Sequence, residues 1–206
     1  MTQVLPLPLD AGPKIRAYHV IRYLAEAGHE IDLLSFMRGG ESDEHVRSLR
    51  RMCASVETVP MVRSRLRDVR DGLRSVLTTS PFLVLRDQVA SMRQRLEHMA
   101  ANRSYDALHA DQLWMASYGM NGVNAGLRVL DQHNAVFMIP RRLAEHHESR
   151  FVRTLLRNEA AKLEAFERDA CRRFDRVVWV TEEDRRALVQ PGEDRLFGRM
   201  LAAVML

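Results

Sequence analysis

The sequence predicts an α/β chain built on a doubly wound parallel sheet. Three observations carry that prediction. Short apolar runs alternate with amphipathic helical patterns along all 206 residues, the order that gives parallel strands and right-handed crossovers. Residues 1–36 already compose one βαβ unit: an apolar run, a Gly/Pro turn, a helix and a second strand. Hydrophobic residues make up 46% of the chain, enough for a proper core. No repeat or low-complexity linker interrupts the pattern. Residues 1–190 therefore read as one domain and 191–206 as an atypical tail.

The elements follow in order. Ile15, Tyr18, Val20, Ile21, Leu24 and Ala25 give residues 14–27 one apolar helix face, with Asp10 placed to cap it and Gly28 to end it. Ile31 to Phe36 reads as a mostly buried strand. Ser42 or Asp43 opens a short helix through Met52. Val56 to Pro60 is a third strand, stopped by its proline. Residues 63–77 interleave Arg63, Arg65, Arg67, Arg70 and Arg74 with Leu66, Val69, Leu73, Val76 and Leu77, a basic amphipathic helix that Ser80-Pro81 breaks. Asp87 to Ala101 reads as another helix, Tyr105 to Ala110 and Leu127 to Leu130 as strands. The longest helical pattern runs from Pro140 to about Phe174, with proline at its start and no Gly or Pro inside. A strand at 176–180 follows, and Thr181-Glu-Glu-Asp184 has the form of a capping box.

Composition narrows the function classes. The net charge is +4, with arginine supplying almost all the positive charge. No zinc-finger spacing, aromatic RNA-binding segment or basic zipper accompanies it, so a solvated basic surface is expected and no nucleic-acid partner. Cys53 and Cys171 lie far apart without CxxC spacing, which disfavours a disulfide framework or zinc site and fits a reducing cytoplasm. No apolar run reaches the roughly 18 residues of a spanning helix. Prolines and Asp10 interrupt what a signal peptide would keep apolar.

Candidate chemistry gathers at the turns. Asp10-Ala-Gly-Pro-Lys14 is neither GxGxxG nor a P-loop, which weighs against a dinucleotide dehydrogenase and an ordinary nucleotide triphosphatase. Gly12 still permits a phosphate to approach the backbone at a helix N-terminus, with Lys14 and Arg16 at its mouth; a ligand-free turn explains the segment equally well. Asp131-Gln-His133-Asn134 follows a strand, where cleft residues of open α/β sheets belong. His133 there suits a general base or a group that orients a substrate hydroxyl, with Asp131 fixing its tautomer. His109 and Asp111 end another strand, and the same reasoning applies more weakly. His146-His147 point about 100° apart on a helix and make a poor metal pair. Glu159, Glu164 and Glu167 read as salt-bridge partners on a charged helix face, and the methionines as core filler.

Assembled, these residues resemble the N-terminal domain of a family 4 glycosyltransferase of the GT-B fold. The resemblance rests on Pro-Leu-Pro-Leu-Asp-Ala-Gly-Pro-Lys-Ile-Arg-Ala-Tyr-His at 6–19, Leu24-Ala-Glu-Ala-Gly-His-Glu30, Asp106-Ala-Leu-His-Ala-Asp-Gln112 and Leu130-Asp-Gln-His-Asn134. It continues through the helix with Asn158 to Glu167 and through Phe174 to Asp184. The resemblance implies a Rossmann-like half of a GT-B enzyme. Such an enzyme moves a sugar from a nucleotide-sugar donor to a sugar or lipid-linked acceptor hydroxyl, usually with retention, in the building of polysaccharides and other glycosides. It implies Gly12 and Lys14 near the donor diphosphate, His133 as the active-site histidine, and Arg16, His109, Asp111 and Asn134 toward the acceptor. No cofactor and no metal are implied, in keeping with the missing DxD-type site.

Two departures set further expectations. Only Met1 and Thr2 precede the Gln3-Val-Leu segment, where the family has a longer apolar strand. The family's second, nucleotide-binding domain has no counterpart in these residues, and Phe197, Met200, Leu201 and Val204 of the tail fit one helical face instead. The 206 residues alone are therefore expected to be nearly inactive, because transfer needs donor and acceptor held together. The alternative is a non-enzymatic binding module, either partnered with a separate C-terminal half or docked through its arginine-rich helix on an anionic membrane, at the cytoplasmic face.

Overall fold

The computed structural model describes residues 1–120, 123–189 and 201–202. Among them are nine helices and six strands, and every strand pair is parallel. The Rossmann-like α/β expectation holds. The chain forms two compact units: Met1–Val62 with Val89–Arg103, and Arg63–Gln88 with Ser104–Leu206.

In the first unit, α1 (Gly12–Glu26) precedes β1 (Asp32–Met37), α2 (Asp43–Leu49) and β2 (Ser55–Pro60). Strands β1 and β2 pair from Asp32↔Ser55 to Met37↔Pro60. The opening apolar run contributes one isolated bridge, Thr2↔Ser35, rather than a strand. Pro6 and Pro8 explain why it stops, since neither has an N–H to extend a ladder. Leu5, Ile21, Leu33, Leu49, Cys53 and Val56 form the core. Gly28 ends α1 with φ +87°, as its position suggests. Asp10 does not cap α1: the N-cap is Ala11, and the Asp10 carboxylate instead pairs with Lys14 Nζ at 3.0 Å. Helix α5 (Ala90–Asn102) belongs to this unit, tied by Arg95 to Glu57 of β2 at 3.1 Å.

The second unit holds α3 (Arg65–Leu77), α4 (Phe82–Asp87), β3 (Tyr105–Asp111), α6 (Leu113–Gly119), β4 (Ala125–Gln132), α7 (Met138–His146), α8 (Arg150–Arg173), β5 (Arg176–Trp179), α9 (Glu182–Leu188) and the two-residue β6 (Leu201–Ala202). Its sheet runs β3-β4-β5-β6. Leu201 thus sits in a strand, not on the expected helical face; Phe197, Met200 and Val204 lie outside the described residues.

Two other expectations change here. The single helix expected at 87–101 is preceded by the separate turn of α4, because Gln88 and Val89 are extended. The long pattern from Pro140 splits into α7 and α8. His147 is extended and its Nδ1 accepts the Ser149 N–H at 3.1 Å, while Ser149 Oγ accepts from Val152 N–H. A capping serine outcompetes helical continuation even with no Gly or Pro present.

Helix α3 is turned inside out. Asp71 and Ser75 are buried, whereas Leu66, Val69, Leu73, Val76 and Leu77 are 63–85% exposed. Its polar side is pinned inward: Asp71 meets Arg67 and Arg70, Ser75 donates to the Ser80 carbonyl, and Lys162 of α8 reaches the Ser75 carbonyl. Glu159 of α8 accepts the Phe82 and Leu83 N–H groups at the start of α4, at 3.0 Å each, and so caps a helix instead of lying on a charged face. Among the described residues, no helix is long and apolar enough to cross a membrane.

Candidate functional site

The C-terminal ends of β3 and β4 stand side by side. Their register pairs His109 with Val129 and Asp111 with Asp131. In paired parallel strands those positions share a face, and residues two apart on a strand share it too. Alternation therefore gathers His109, Asp111 and Asp131 on one face, and His133 follows just beyond β4. Both aspartates are 1% exposed.

The pairing crosses between strands. His133 Nε2 lies 2.9 Å from Asp111 Oδ1, and His109 Nε2 lies 3.7 Å from Asp131 Oδ2. The sequence pairs each histidine with its own-strand aspartate. The structure exchanges the partners, because an i, i+2 neighbour on an extended strand sits about 6.7 Å away while the adjacent strand is about 4.8 Å away. Asp111 Oδ2 is buried without a hydrogen-bond partner. The next residue, Gln112, has φ +69°, an uncommon conformation for a non-glycine, and its N–H donates to the Asp131 carbonyl at 2.9 Å. That strained turn leads from Asp111 directly into α6.

The loop carrying His133 and Asn134 is held from two helices. Glu167 of α8, fully buried, accepts the Val136 N–H at 2.7 Å, the Phe137 N–H at 2.9 Å and Gln132 Nε2 at 2.7 Å. Asp184 of α9 accepts the Ala135 N–H at 2.9 Å. Gln132 Nε2 also donates to the Asn134 carbonyl at 3.1 Å. Burial pushes the Glu167 carboxyl up to about 8 against the opposite pull of the Phe137, Val136 and Gln132 hydrogen bonds, and nearby Asp184 adds to the rise. Sequence reading placed Glu167 among surface salt bridges. Only its position among buried Leu163, Ala170 and Cys171 on the same helix hinted otherwise. Glu164 does pair with Arg168, at 3.4 Å.

The remaining candidates divide between the units. His109, Asp111, His133 and Asn134 lie in the second, with Asn134 exposed. Gly12, Lys14 and Arg16 lie in the first. Gly12 opens α1 in open space, with nothing within 4 Å of where a Cβ would stand. Lys14 Nζ is already engaged by Asp10 at 3.0 Å and faces Glu41 at 3.8 Å. Arg16 is buried. Among the described residues, Asp111, Asp131 and His133 each offer one ligand atom within 4.8 Å of the others.

A family model described as Glycosyltransferase Family 4 matches residues 12–195. No curated protein matches the chain, and no solved structure does.

Proposed function

The chain belongs to glycosyltransferase family 4, and on that footing we propose that it supplies the acceptor side of a retaining transfer from a nucleotide sugar to a sugar or lipid-linked hydroxyl. The observation that carries the reading is the Asp111–His133 pair at adjoining strand ends. A carboxylate facing Nε2 holds the proton there, which leaves Nδ1 as the basic position. That atom suits the task of receiving or orienting an acceptor hydroxyl. Buried Asp111, whose Oδ1 is taken by His133, becomes a positioning residue, while exposed Asn134 and part-exposed His109 remain the acceptor contacts. Gly12 and Lys14 are assigned to the donor diphosphate; Lys14 must then leave Asp10 to meet it. The burial of Arg16 favours a supporting role for it over contact with acceptor. The nucleotide sugar is a substrate, and the reading asks for no cofactor.

The test is release of nucleoside diphosphate from a panel of nucleotide sugars, with and without sugar acceptors. The 206 residues alone are expected to turn over poorly. Combined with a nucleotide-binding half, transfer is expected, with a loss of about 100-fold or more in His133→Ala. Robust turnover by the 206 residues alone overturns the half-site assignment. Undiminished transfer in His133→Ala overturns the role of the histidine.

A second reading has its own observation in α3. A bare apolar stripe flanked by exposed Arg65, Arg70 and Arg74 fits an anionic lipid surface, with the leucines and valines entering the acyl boundary and the guanidinium groups meeting headgroups. It places the chain peripherally on the cytoplasmic face of a membrane, where a lipid-linked acceptor would reside. Sedimentation with vesicles is expected to carry the protein down with anionic but not zwitterionic lipid. Equal recovery in both supernatants removes this reading.

A further inference from the structure

We propose that His109, Asp111, Asp131 and His133 form a binding site for a divalent transition-metal cation of the zinc type. The proposal needs only these four side chains and does not rest on glycosyl transfer.

Electrostatics sets the problem. Asp111 and Asp131 are register partners on neighbouring strands, both 1% exposed. Two carboxylates held this close and away from water repel one another when both are ionised. A shared proton or a cation relieves that repulsion, and His109 Nε2 stands 3.7 Å from Asp131 Oδ2. His133 satisfies only Asp111 Oδ1, and the buried Oδ2 of the same carboxylate has no hydrogen-bond partner. A cation would neutralise the pair and take up Asp111 Oδ2.

Ligand chemistry then selects the ion. Two imidazoles and two carboxylates are a nitrogen and oxygen set suited to zinc and its neighbours rather than to magnesium or calcium. Tetrahedral coordination at about 2.0–2.1 Å places ligand atoms about 3.3 Å from one another. Within the group of Asp111, Asp131 and His133 the observed separations run from 2.9 Å for His133–Asp111 to at most 4.8 Å, spanning that value, and His109 adjoins the group through Asp131 at 3.7 Å. The ion would take the place of the hydrogen bond between His133 Nε2 and Asp111 Oδ1. Metal occupancy and that hydrogen bond therefore exclude one another, so a bound ion would inhibit transfer.

Titration of the full chain with Zn²⁺ against a competing chromophoric chelator tests the proposal. Wild type is expected to bind one equivalent that His133→Gln, Asp111→Asn and His109→Gln each weaken at least 10-fold. The double variant His146→Gln/His147→Gln removes surface imidazoles outside the cluster and is expected to bind as wild type does. Co²⁺ gives a second readout: its intense tetrahedral d–d absorption is expected in wild type and absent in His109→Gln, which removes the most exposed of the four ligands. Binding that survives all three cluster substitutions, or that disappears with His146 and His147, overturns the proposal. So does wild type with no Zn²⁺ uptake. Failure of transfer in every protein tested would leave these results untouched, so the two readings fail separately.

Discussion

Replacing Glu167 with Gln separates the carboxylate's charge from its shape. In the glutamine variant the side-chain carbonyl can still accept from Val136 N–H and Gln132 Nε2, but its amide faces the Phe137 N–H, donor against donor. That mismatch costs about 1–3 kcal/mol at every pH. The charge acts with the opposite sign. Burial holds the folded carboxyl at about 8, above its ordinary 4.5. Below 4.5 both folded and unfolded states carry the proton and nothing is lost. As pH rises toward 8, the folded protein keeps a proton that the unfolded chain releases, so wild type loses stability; above 8 the loss is complete. At about 1.4 kcal/mol per pH unit the full gap is on the order of 5 kcal/mol. Glutamine carries no such penalty. The variant is therefore expected to be less stable at acid pH and more stable at alkaline pH, the curves crossing between about pH 5 and 6.7. Urea unfolding followed by circular dichroism at several pH values measures the difference, and every other titrating group cancels between the two proteins. A difference that stays flat within about 0.5 kcal/mol across that range refutes both the buried ionisation and its cause.

Further outcomes follow from individual positions. A Cβ on Gly126 would stand 2.9 Å from the Asp106 carbonyl oxygen, a backbone atom that cannot rotate away, so Gly126→Ala is expected to cost about 1–3 kcal/mol and lower the melting temperature. Gly12→Ala meets nothing within 4 Å and is expected to leave the melting temperature unchanged, so any loss of donor binding in it reports on the donor itself. Leu66→Ser with Leu73→Ser removes two exposed leucines from α3; stability is expected within about 0.5 kcal/mol of wild type while sedimentation with anionic vesicles falls. Cys53, its thiol pushed up to about 11 by burial and by Asp32, and Cys171, raised further by burial, are expected to resist a thiol reagent in the native protein and to react promptly in urea.

The strand and helix order was legible because it is written in local periodicity. Alternation of apolar runs located β1 through β5, and Gly28 and Thr181 marked the helix ends at which they stand. What escaped local reading was the competition between neighbouring choices. Ser149 splits a pattern that no Gly or Pro interrupts, and Asp10 prefers the ammonium of Lys14 to the N-terminus of α1. The amphipathic pattern of residues 63–77 was plain, yet periodicity cannot say which face turns inward. Lys162 and Glu159, more than eighty residues along the chain in contact with Ser75, decide it.

The candidate site shows the same division at closer range. Its residue types were legible because each stands at a strand end. Their pairing was not, because partnership depends on the β3–β4 register, and only Asp111↔Asp131 alignment puts His133 against Asp111 and His109 against Asp131. A slip of one residue would turn half of the cluster to the opposite face of the sheet. Register in turn is guarded from outside the two strands: the Gln112 N–H grips the Asp131 carbonyl through a left-handed backbone, while Glu167 and Asp184 fix residues 135–137 immediately beyond His133. The histidine itself is held by one hydrogen bond to Asp111, but the chain that presents it is clamped at three successive N–H groups. Orientation of the imidazole therefore depends as much on the carboxylates of Glu167 and Asp184 as on the aspartate beside it. Glu167→Gln, which perturbs the clamp at Phe137 and spares Asp111, is thus expected to alter the imidazole environment of His133, and nuclear magnetic resonance of that ring reads the change directly; a His133 signal identical to wild type would show that the clamp shapes the loop without reaching the ring.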